Sequence, residues 1–161
     1  MRAVVQRVVR ARVDVAREDG SIETVGAIEK GLVAFVGAGA GDVDDDMQYV
    51  VGKIIALRVF EDDKGKMSRS LADVGGSLLF VTQFTLYGDI SKGNRPSFIS
   101  AMPPDDAKVF LERAVVLAKK SVPVETGRFG ADMRVVVEND GPVTILIDSR
   151  ARGQVTSEPR K

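Results

Sequence analysis

The chain has neither histidine nor cysteine among its 161 residues. Without these two residue types, Ser-His-Asp and Cys-His nucleophilic mechanisms are excluded, and zinc lacks its usual protein ligands. Any enzymatic chemistry must then come from carboxylates, lysine, tyrosine, hydroxyl groups, backbone dipoles or the substrate itself. We therefore expect neither a metal ion nor a cofactor.

An excess of charge of one sign is also missing, because 23 basic residues balance 23 acidic ones. Proteins that grip nucleic acid mainly through phosphates usually carry a basic excess, so any such contact is expected to be local, brief or shared with a second subunit. No apolar run approaches the roughly 18 residues that span a bilayer. The opening MRAVVQRVVRARV has arginines spread through it, unlike a signal peptide. These features predict a cytoplasmic protein without a membrane partner.

Hydrophobic periodicity predicts one domain over residues 1–150, followed by a polar C-terminal tail at 151–161. The predicted order β-β-β-α-β-β-α-β-β lacks the regular βαβ alternation of a parallel sheet. It favours an α+β fold in which antiparallel sheets curl into a barrel or sandwich with two helices packed outside. The first helix is expected to have Asp42 as N-cap and Asp44 to Asp46 in its first turn. The second is expected to start near Pro104.

The glycine-rich stretch GAGAGD, residues 37–42, resembles a phosphate-binding loop in composition only. It lacks the Lys-Ser/Thr ending of a P-loop, and its spacing does not fit a dinucleotide site. We interpret it as a loop that enters the first helix.

Two stretches near the middle of the chain carry polar residues in unusual places. TQFTLYGD, residues 82–89, continues the apolar SLLFV and is expected to be part of one long strand. Its hydroxyl groups either pair with backbone in the core or, with exposed N–H groups, form an oxyanion-stabilising site. KGNRPSF, residues 92–98, is a basic loop that is either solvated or in contact with phosphate. We interpret Arg7, Arg10 and Arg12 as strand-edge charges.

Residues 138–144 read ENDGPVT, between the apolar runs MRVVVE and VTILID. Asn139-Asp140-Gly141 is typical of a hairpin turn. Pro142 can donate no hydrogen bond to the returning strand. Turn formation alone therefore does not explain the Gly-Pro pair.

Taken in order, six segments resemble the D-aminoacyl-tRNA deacylases of the bacterial and eukaryotic type almost end to end. They are MRAVVQRV, GDVDDDMQYVVGKIIALRVFED, DKGKMSRSLADVGGSLLFVTQFTLYGD, KGNRPSF, VETGRFGADM and NDGPVTILID. The central motif departs at one position, since Thr82 stands where the family usually has serine, and a hydroxyl group is kept. The tail beyond residue 150 is not part of the resemblance.

The resemblance implies a homodimeric hydrolase that cleaves the ester between a D-amino acid and the terminal adenosine of tRNA and spares the L form. Glycyl-tRNA mischarged on tRNA(Ala) is a further implied substrate. Backbone N–H groups of Gln83, Phe84 and Thr85, beside Thr82, would stabilise the oxyanion. Family members act without a side-chain nucleophile, and the terminal 2′-hydroxyl of the RNA assists.

The resemblance also implies that Gly141 and Pro142 of one subunit, joined by a cis bond, reach into the pocket of the other. Their carbonyl oxygens would accept from the substrate's ammonium group and leave no room for an L side chain. Met133 and Arg7 complete the implied substrate-binding residues. Three alternatives remain: a non-catalytic RNA-binding β-domain, a structural β-domain that binds a partner, and the related deacylase branch with a trans Gly-Pro.

Overall fold

The fold is given by a computed structural model, which describes residues 1–152. Within them, eight strands, two α-helices and two short 3-10 helices follow one another along the chain. In order these are β1 (Arg2–Ala16), β2 (Ile22–Ile28), β3 (Gly31–Gly37), α1 (Asp44–Ala56), β4 (Phe60–Glu61), β5 (Met67–Arg69), β6 (Ser77–Thr82), a 3-10 helix (Phe84–Tyr87), α2 (Pro104–Ala118), β7 (Val124–Thr126), β8 (Met133–Asp148) and a 3-10 helix (Ser149–Ala151). The tail predicted at 151–161 lies outside the described residues from 153 onward.

Six strands form one sheet that curls into a nearly closed barrel. The long strand β1 pairs antiparallel with β3 and β2 along one edge and antiparallel with β8 along the other. β6 pairs parallel with β3, and β7 pairs parallel with β6. Gly26 of β2 lies directly against the backbone of Thr126 in β7. This contact brings the two ends of the sheet together.

The predicted α+β class, with two helices outside a curled sheet, is confirmed. The sheet is mixed, however, so the expectation of purely antiparallel pairing was wrong at two strand pairs. α1 lies on the connection from β3 to β6, and α2 lies on the connection from β6 to β7. A crossover through a helix returns the chain in its original direction, which a hairpin cannot do.

The two apolar runs around ENDGPVT form the single strand β8, not the arms of a hairpin as predicted. Both runs pair with β1, which at fifteen residues is long enough to pair with the two of them along its length. Between the pairs Gln6–Thr144 and Val8–Asn139, β8 advances five positions while β1 advances two. The extra residues form a bulge on a continuous strand.

Apolar clusters pack on both faces of the sheet. β3 and β6 are buried on both sides, so their alternate residues enter different clusters. Leu32 and Leu78 face the helices, whereas Val33 and Leu79 face the inside of the barrel. The helices contribute Met47, Val50, Val51, Ile54, Phe110, Leu111, Ala114 and Ala118. No helix within residues 1–152 is long and apolar enough to cross a membrane.

The start of α1 differs from the prediction. The helix begins at Asp44, and its N-cap residue is Val43. The N–H of Val43 donates to the carboxylate of Asp46 at 3.0 Å. Asp42 is buried and lies 2.7 Å from the terminal ammonium group of Met1. The local preference of aspartate for an N-cap is therefore overridden by a partner that is distant in sequence, at the start of the neighbouring strand β1.

Candidate active site

A cavity of about 620 Å³ lies between the end of β6, the start of α2 and the inner face of the barrel. Thr82, Gln83 and Phe84 form part of its wall, and Met133 of β8 lines it as well. Of the described residues that line it, Thr82 and Gln83 have the only polar side chains, and none is ionisable. A mostly apolar pocket of this size with a few polar groups is typical of a small-ligand site.

An abrupt change of backbone makes the polar wall. β6 ends at Thr82, and the 3-10 helix starts at Phe84, so the long strand predicted for TQFTLYGD stops early. The first N–H groups of a helix have no partner inside the helix. The chain therefore presents amides without an intrahelical partner where the strand gives way to the helix.

The three predicted backbone donors are not equivalent. The amide of Gln83 already donates to the carbonyl oxygen of Val36 at 2.8 Å, which extends the pairing of β6 with β3. The amides of Phe84 and Thr85 donate to no group within residues 1–152. The backbone role predicted for Gln83 is therefore corrected, and two donors remain.

The side chains on this turn also interact with one another. The side-chain nitrogen Nε2 of Gln83 donates a short hydrogen bond to the hydroxyl oxygen of Thr85. The ring of Phe84 is 58% exposed and meets the ring of Phe98 edge to face, with centroids 4.9 Å apart. Thr85 is exposed and does not line the cavity, so its hydroxyl group is held outside the pocket by Gln83.

Glycines of the GAGAGD stretch allow the 3-10 helix to pack closely. A Cβ atom at Gly39 would lie 2.5 Å from the ring of Tyr87, and one at Gly37 would lie 2.8 Å from the carbonyl oxygen of Gln83. These glycines therefore have a packing role beneath the wall of the cavity.

Tyr87 ends the 3-10 helix in a buried polar cluster. Its hydroxyl group donates to Asp42 at 3.2 Å, and Asp42 pairs with the ammonium group of Met1 at 2.7 Å. Burial, together with the negative charge of Asp42, raises the pKa of the Tyr87 phenol. The guanidinium groups of Arg2 and Arg150 lie over its ring, at 4.8 and 5.9 Å from the centroid. We name Met1, Asp42, Tyr87 and Arg150 the anchor cluster.

The Gly-Pro pair lies on the bulge of β8. The Gly141–Pro142 bond is cis, and both residues are exposed. Asn139 closes the base of the bulge, because its side chain accepts from the N–H of Val143 at 3.1 Å and donates to the carbonyl of Val143 at 3.2 Å. Gly141 has a φ of +119°, and a Cβ atom there would lie 2.8 Å from the Val143 side chain. The position therefore requires glycine.

Arg7 is buried beneath this bulge, so its interpretation as a strand-edge charge was wrong. Its Nε atom lies 2.9 Å from the carboxylate of Asp140, and Nη1 donates to the carbonyl of Val59 at 2.5 Å. A buried cation is tolerated when it is paired. Arg7 and Asp140 thus hold the bulge against β1. The structural roles of Asn139 and Asp140 were not predicted from the sequence, because both residues suit a hairpin turn.

Comparison with known proteins identifies the family. Residues 4–148 match the family described as D-Tyr-tRNA(Tyr) deacylase. The chain is 59% identical over 152 residues to a D-aminoacyl-tRNA deacylase of Sorangium cellulosum, covering 93% of this chain and 98% of that one. The chain belongs to this deacylase family. The resemblance predicted from the sequence is confirmed.

Two solved structures share the fold of this deacylase family member. One is that of a c-Myc DNA Unwinding Element Binding Protein, with a TM-score of 0.85 at 41% identity, and it covers 92% of this chain and 98% of its own. The other, a probable eukaryotic D-amino acid tRNA deacylase, has a TM-score of 0.75 at 17% identity and covers 91% of this chain and 97% of its own. At that identity, the second match shows the shared fold alone.

Within one deacylase chain, the predicted site residues fall into two groups. Those that line the cavity are Thr82, Gln83, Phe84 and Met133. Those outside its lining are Thr85, Arg7, Gly141 and Pro142. The apolar walls from Met102 and Phe129 were not anticipated from the sequence, because isolated apolar residues in loops give no periodic signal.

Proposed function

We propose that this protein hydrolyses the ester bond between a D-amino acid and the 3′-terminal adenosine of tRNA, and spares L-aminoacyl-tRNA. The catalytic unit would be a single domain of residues 1–150, acting in the cytoplasm without a cofactor. Family membership supports this reaction. The observation that carries it is a largely apolar cavity, about 620 Å³ in volume, beside two amides that have no partner within residues 1–152.

In the proposed reaction, water attacks the carbonyl carbon of the ester, and the carbonyl oxygen gains negative charge. The amides of Phe84 and Thr85 donate to that oxygen, and one such donor contributes about 2.7–4 kcal/mol to transition-state stabilisation. The bond to the ribose oxygen then breaks, so that the products are a free amino acid and tRNA. Thr82 offers a hydroxyl group to the substrate inside the cavity.

Proton transfer is assigned to the substrate. No ionisable side chain is found in the described lining of the cavity, so residues 1–152 supply no acid or base there. We assign this role to the 2′-hydroxyl of the terminal ribose, which lies next to the reacting ester. An aminoacyl ester is also more reactive than an amide and needs less assistance.

We further propose that two chains complete each site. Gly141 and Pro142 are exposed and lie outside the cavity of their own chain. The outer edge of β8 has no strand partner within residues 1–152, and Leu146 on it is 79% exposed. A free edge with exposed apolar side chains favours self-association. In a two-fold dimer, the Gly-Pro carbonyls of one chain would bind the substrate's ammonium group in the cavity of the other and exclude L side chains.

The decisive assay incubates the purified protein with D-tyrosyl-tRNA and L-tyrosyl-tRNA, each with and without a chelator. We expect hydrolysis of the D form alone. We expect no effect of the chelator, because the chain has no histidine or cysteine to hold a catalytic zinc ion. Equal rates on the two forms, or no hydrolysis of either, would contradict the proposal. Glycyl-tRNA(Ala) in the same assay tests the additional substrate.

A nucleic-acid-binding role without catalysis is the competing function. It is favoured by the 41% identical solved structure, which is that of a c-Myc DNA Unwinding Element Binding Protein. The same assay separates the two functions, because a binding module would show salt-dependent affinity without turnover.

Shared sites can be tested by mixing two inactive variants. Thr85→Pro removes one of the two amide donors beside the cavity, and Gly141→Ala disturbs the Gly-Pro bulge. If each site uses two chains, a mixed dimer regains one intact site, so random mixing restores about a quarter of wild-type activity. If each site lies within one chain, mixing restores nothing. Sedimentation should give twice the 17.3 kDa chain mass.

A further inference from the structure

We infer that the exposed segment of residues 90–99, here named the basic loop, binds the unpaired 3′ end of tRNA next to the terminal adenosine. The inference rests on the proposed function, because it assumes that the terminal adenosine occupies the cavity. It assigns recognition of the preceding nucleotides to a loop whose two cations lie outside the cavity lining.

The basic loop is fixed beside the cavity at both of its ends. Asp89 and Ser97 exchange two backbone hydrogen bonds, of 2.8 and 2.9 Å, which close its base. Asp89 follows the end of the 3-10 helix by two residues. Phe98 lines the cavity and packs against Phe84. A chain of nucleotides that leaves the cavity along this wall would therefore meet the loop.

The loop concentrates positive charge in a chain whose overall charge is zero. Residues 90–96 are all exposed and include Lys92 and Arg95 but no acidic residue. The ion pairs found within residues 1–152 involve neither of these two side chains. Two cations that lie outside these ion pairs, on one short loop, can pair with phosphate groups. Such pairing releases counterions from the RNA and so favours binding.

Apolar side chains flank these cations. Ile90 is 66% exposed, Ile99 is 90% exposed and the ring of Phe84 is 58% exposed. Proteins bind single-stranded nucleic acid by combining cations that follow the backbone with aromatic or apolar surfaces on which bases stack. A protein partner would need an acidic side chain opposite each of the two cations, whereas every nucleotide of an RNA strand carries a phosphate. The combination therefore favours single-stranded RNA.

The test compares D-tyrosyl-tRNA with 3′-O-(D-tyrosyl)adenosine, which has the same ester but no further nucleotides. For Lys92→Ala/Arg95→Ala, the ratio of kcat/KM on tRNA to kcat/KM on the adenosine ester should fall about tenfold. The slope of log kcat/KM against log salt for tRNA should become shallower by about 0.7 for each cation removed. The matched control is Lys64→Ala/Lys66→Ala, which removes two exposed cations from the turn between β4 and β5 and should leave the ratio unchanged.

Several outcomes would overturn the inference. If the loop variant keeps the wild-type ratio, or loses equally on both substrates, the loop does not bind the RNA end. If the variant sediments as a monomer while the control does not, the loop belongs to the subunit interface. If the wild-type protein hydrolyses neither substrate, the proposed function fails and the inference fails with it. Wild-type hydrolysis with an unchanged variant ratio rejects the loop alone.

Discussion

The two ends of the 3-10 helix Phe84–Tyr87 have opposite surroundings. At its start, the amides of Phe84 and Thr85 have no partner within residues 1–152 and remain available to a substrate. At its end, Tyr87 is buried and bonded to Asp42. Within four residues, the chain thus passes from backbone donors without a partner to a side chain whose hydrogen bond is already made. The difference indicates that the anchored end fixes the position of the donors at the other end.

The largest expected effect on stability comes from breaking the anchor cluster at Asp42. Asp42→Asn keeps the size of the side chain but leaves the buried ammonium group of Met1 without its counter-charge, at 2.7 Å in the wild type. Removing one partner of a buried ion pair typically lowers the free energy of unfolding by about 3–5 kcal/mol. Urea denaturation monitored by circular dichroism measures this loss.

An exposed aspartate nearby provides the control for this substitution. Asp44 pairs with Arg113, but both side chains are more than half exposed. Asp44→Asn should therefore change the free energy of unfolding by less than about 1 kcal/mol. If the two variants were equally stable, the ion pair at Asp42 would not be the feature that anchors the helix.

The next effect concerns the donor end of the helix. Thr85→Ala and Thr85→Pro both remove the hydroxyl group, but only Thr85→Pro also removes the amide hydrogen. Proline is tolerated in the first turn of a helix. We expect Thr85→Ala to lose about tenfold in kcat, as for one hydrogen bond, and Thr85→Pro to lose a further 10²–10³-fold, roughly.

Two results would contradict this assignment of the catalytic role to the backbone. Equal kcat values for the two Thr85 variants would show that the amide does not stabilise the oxyanion. An acyl group found on Thr85 by mass spectrometry would make its hydroxyl a nucleophile. Thermal unfolding of both variants distinguishes lost catalysis from lost folding.

Features with a local cause could be predicted from the sequence. The two helices follow from apolar spacing, and the buried strand β3 follows from a continuous apolar run. The bulge of β8 was missed because it depends on β1, which pairs with it from the other end of the chain. The engaged amide of Gln83 was missed for the same reason, since its acceptor is Val36 of β3. Partners that are distant in sequence decided each of these points.

A smaller effect is expected where the anchored end packs on the GAGAGD stretch. Gly39→Ala places a Cβ atom 2.5 Å from the ring of Tyr87, and overpacking of this kind costs about 1–3 kcal/mol. Gly52→Ala is the control, because a Cβ atom there meets nothing within 4 Å and the residue lies inside α1. That variant should gain up to about 1 kcal/mol from helix propensity. A stable Gly39→Ala variant with full activity would show that Tyr87 can move without consequence for the donors.

The smallest effect is a pH dependence that comes from Asp46, beside the anchor cluster. The pKa of the Asp46 carboxyl group is lowered, chiefly by the hydrogen bond from the N–H of Val43. The contact with Ser149 and the charges of the terminal ammonium group and Arg152 lower it further. A lowered pKa means that the folded protein favours the ionised form. Its stabilising contribution is therefore complete above the unfolded pKa of about 4 and is lost as the pH falls through the folded pKa.

Asp46→Asn can still accept from Val43 but has no charge, so it should lower the free energy of unfolding by about 0.3–1 kcal/mol near pH 7. Urea titrations at pH 7 and pH 3 should then show a smaller difference between the two pH values for Asp46→Asn than for the wild type. An unchanged difference would assign the acid sensitivity to other carboxylates and would separate Asp46 from the anchored end of the helix.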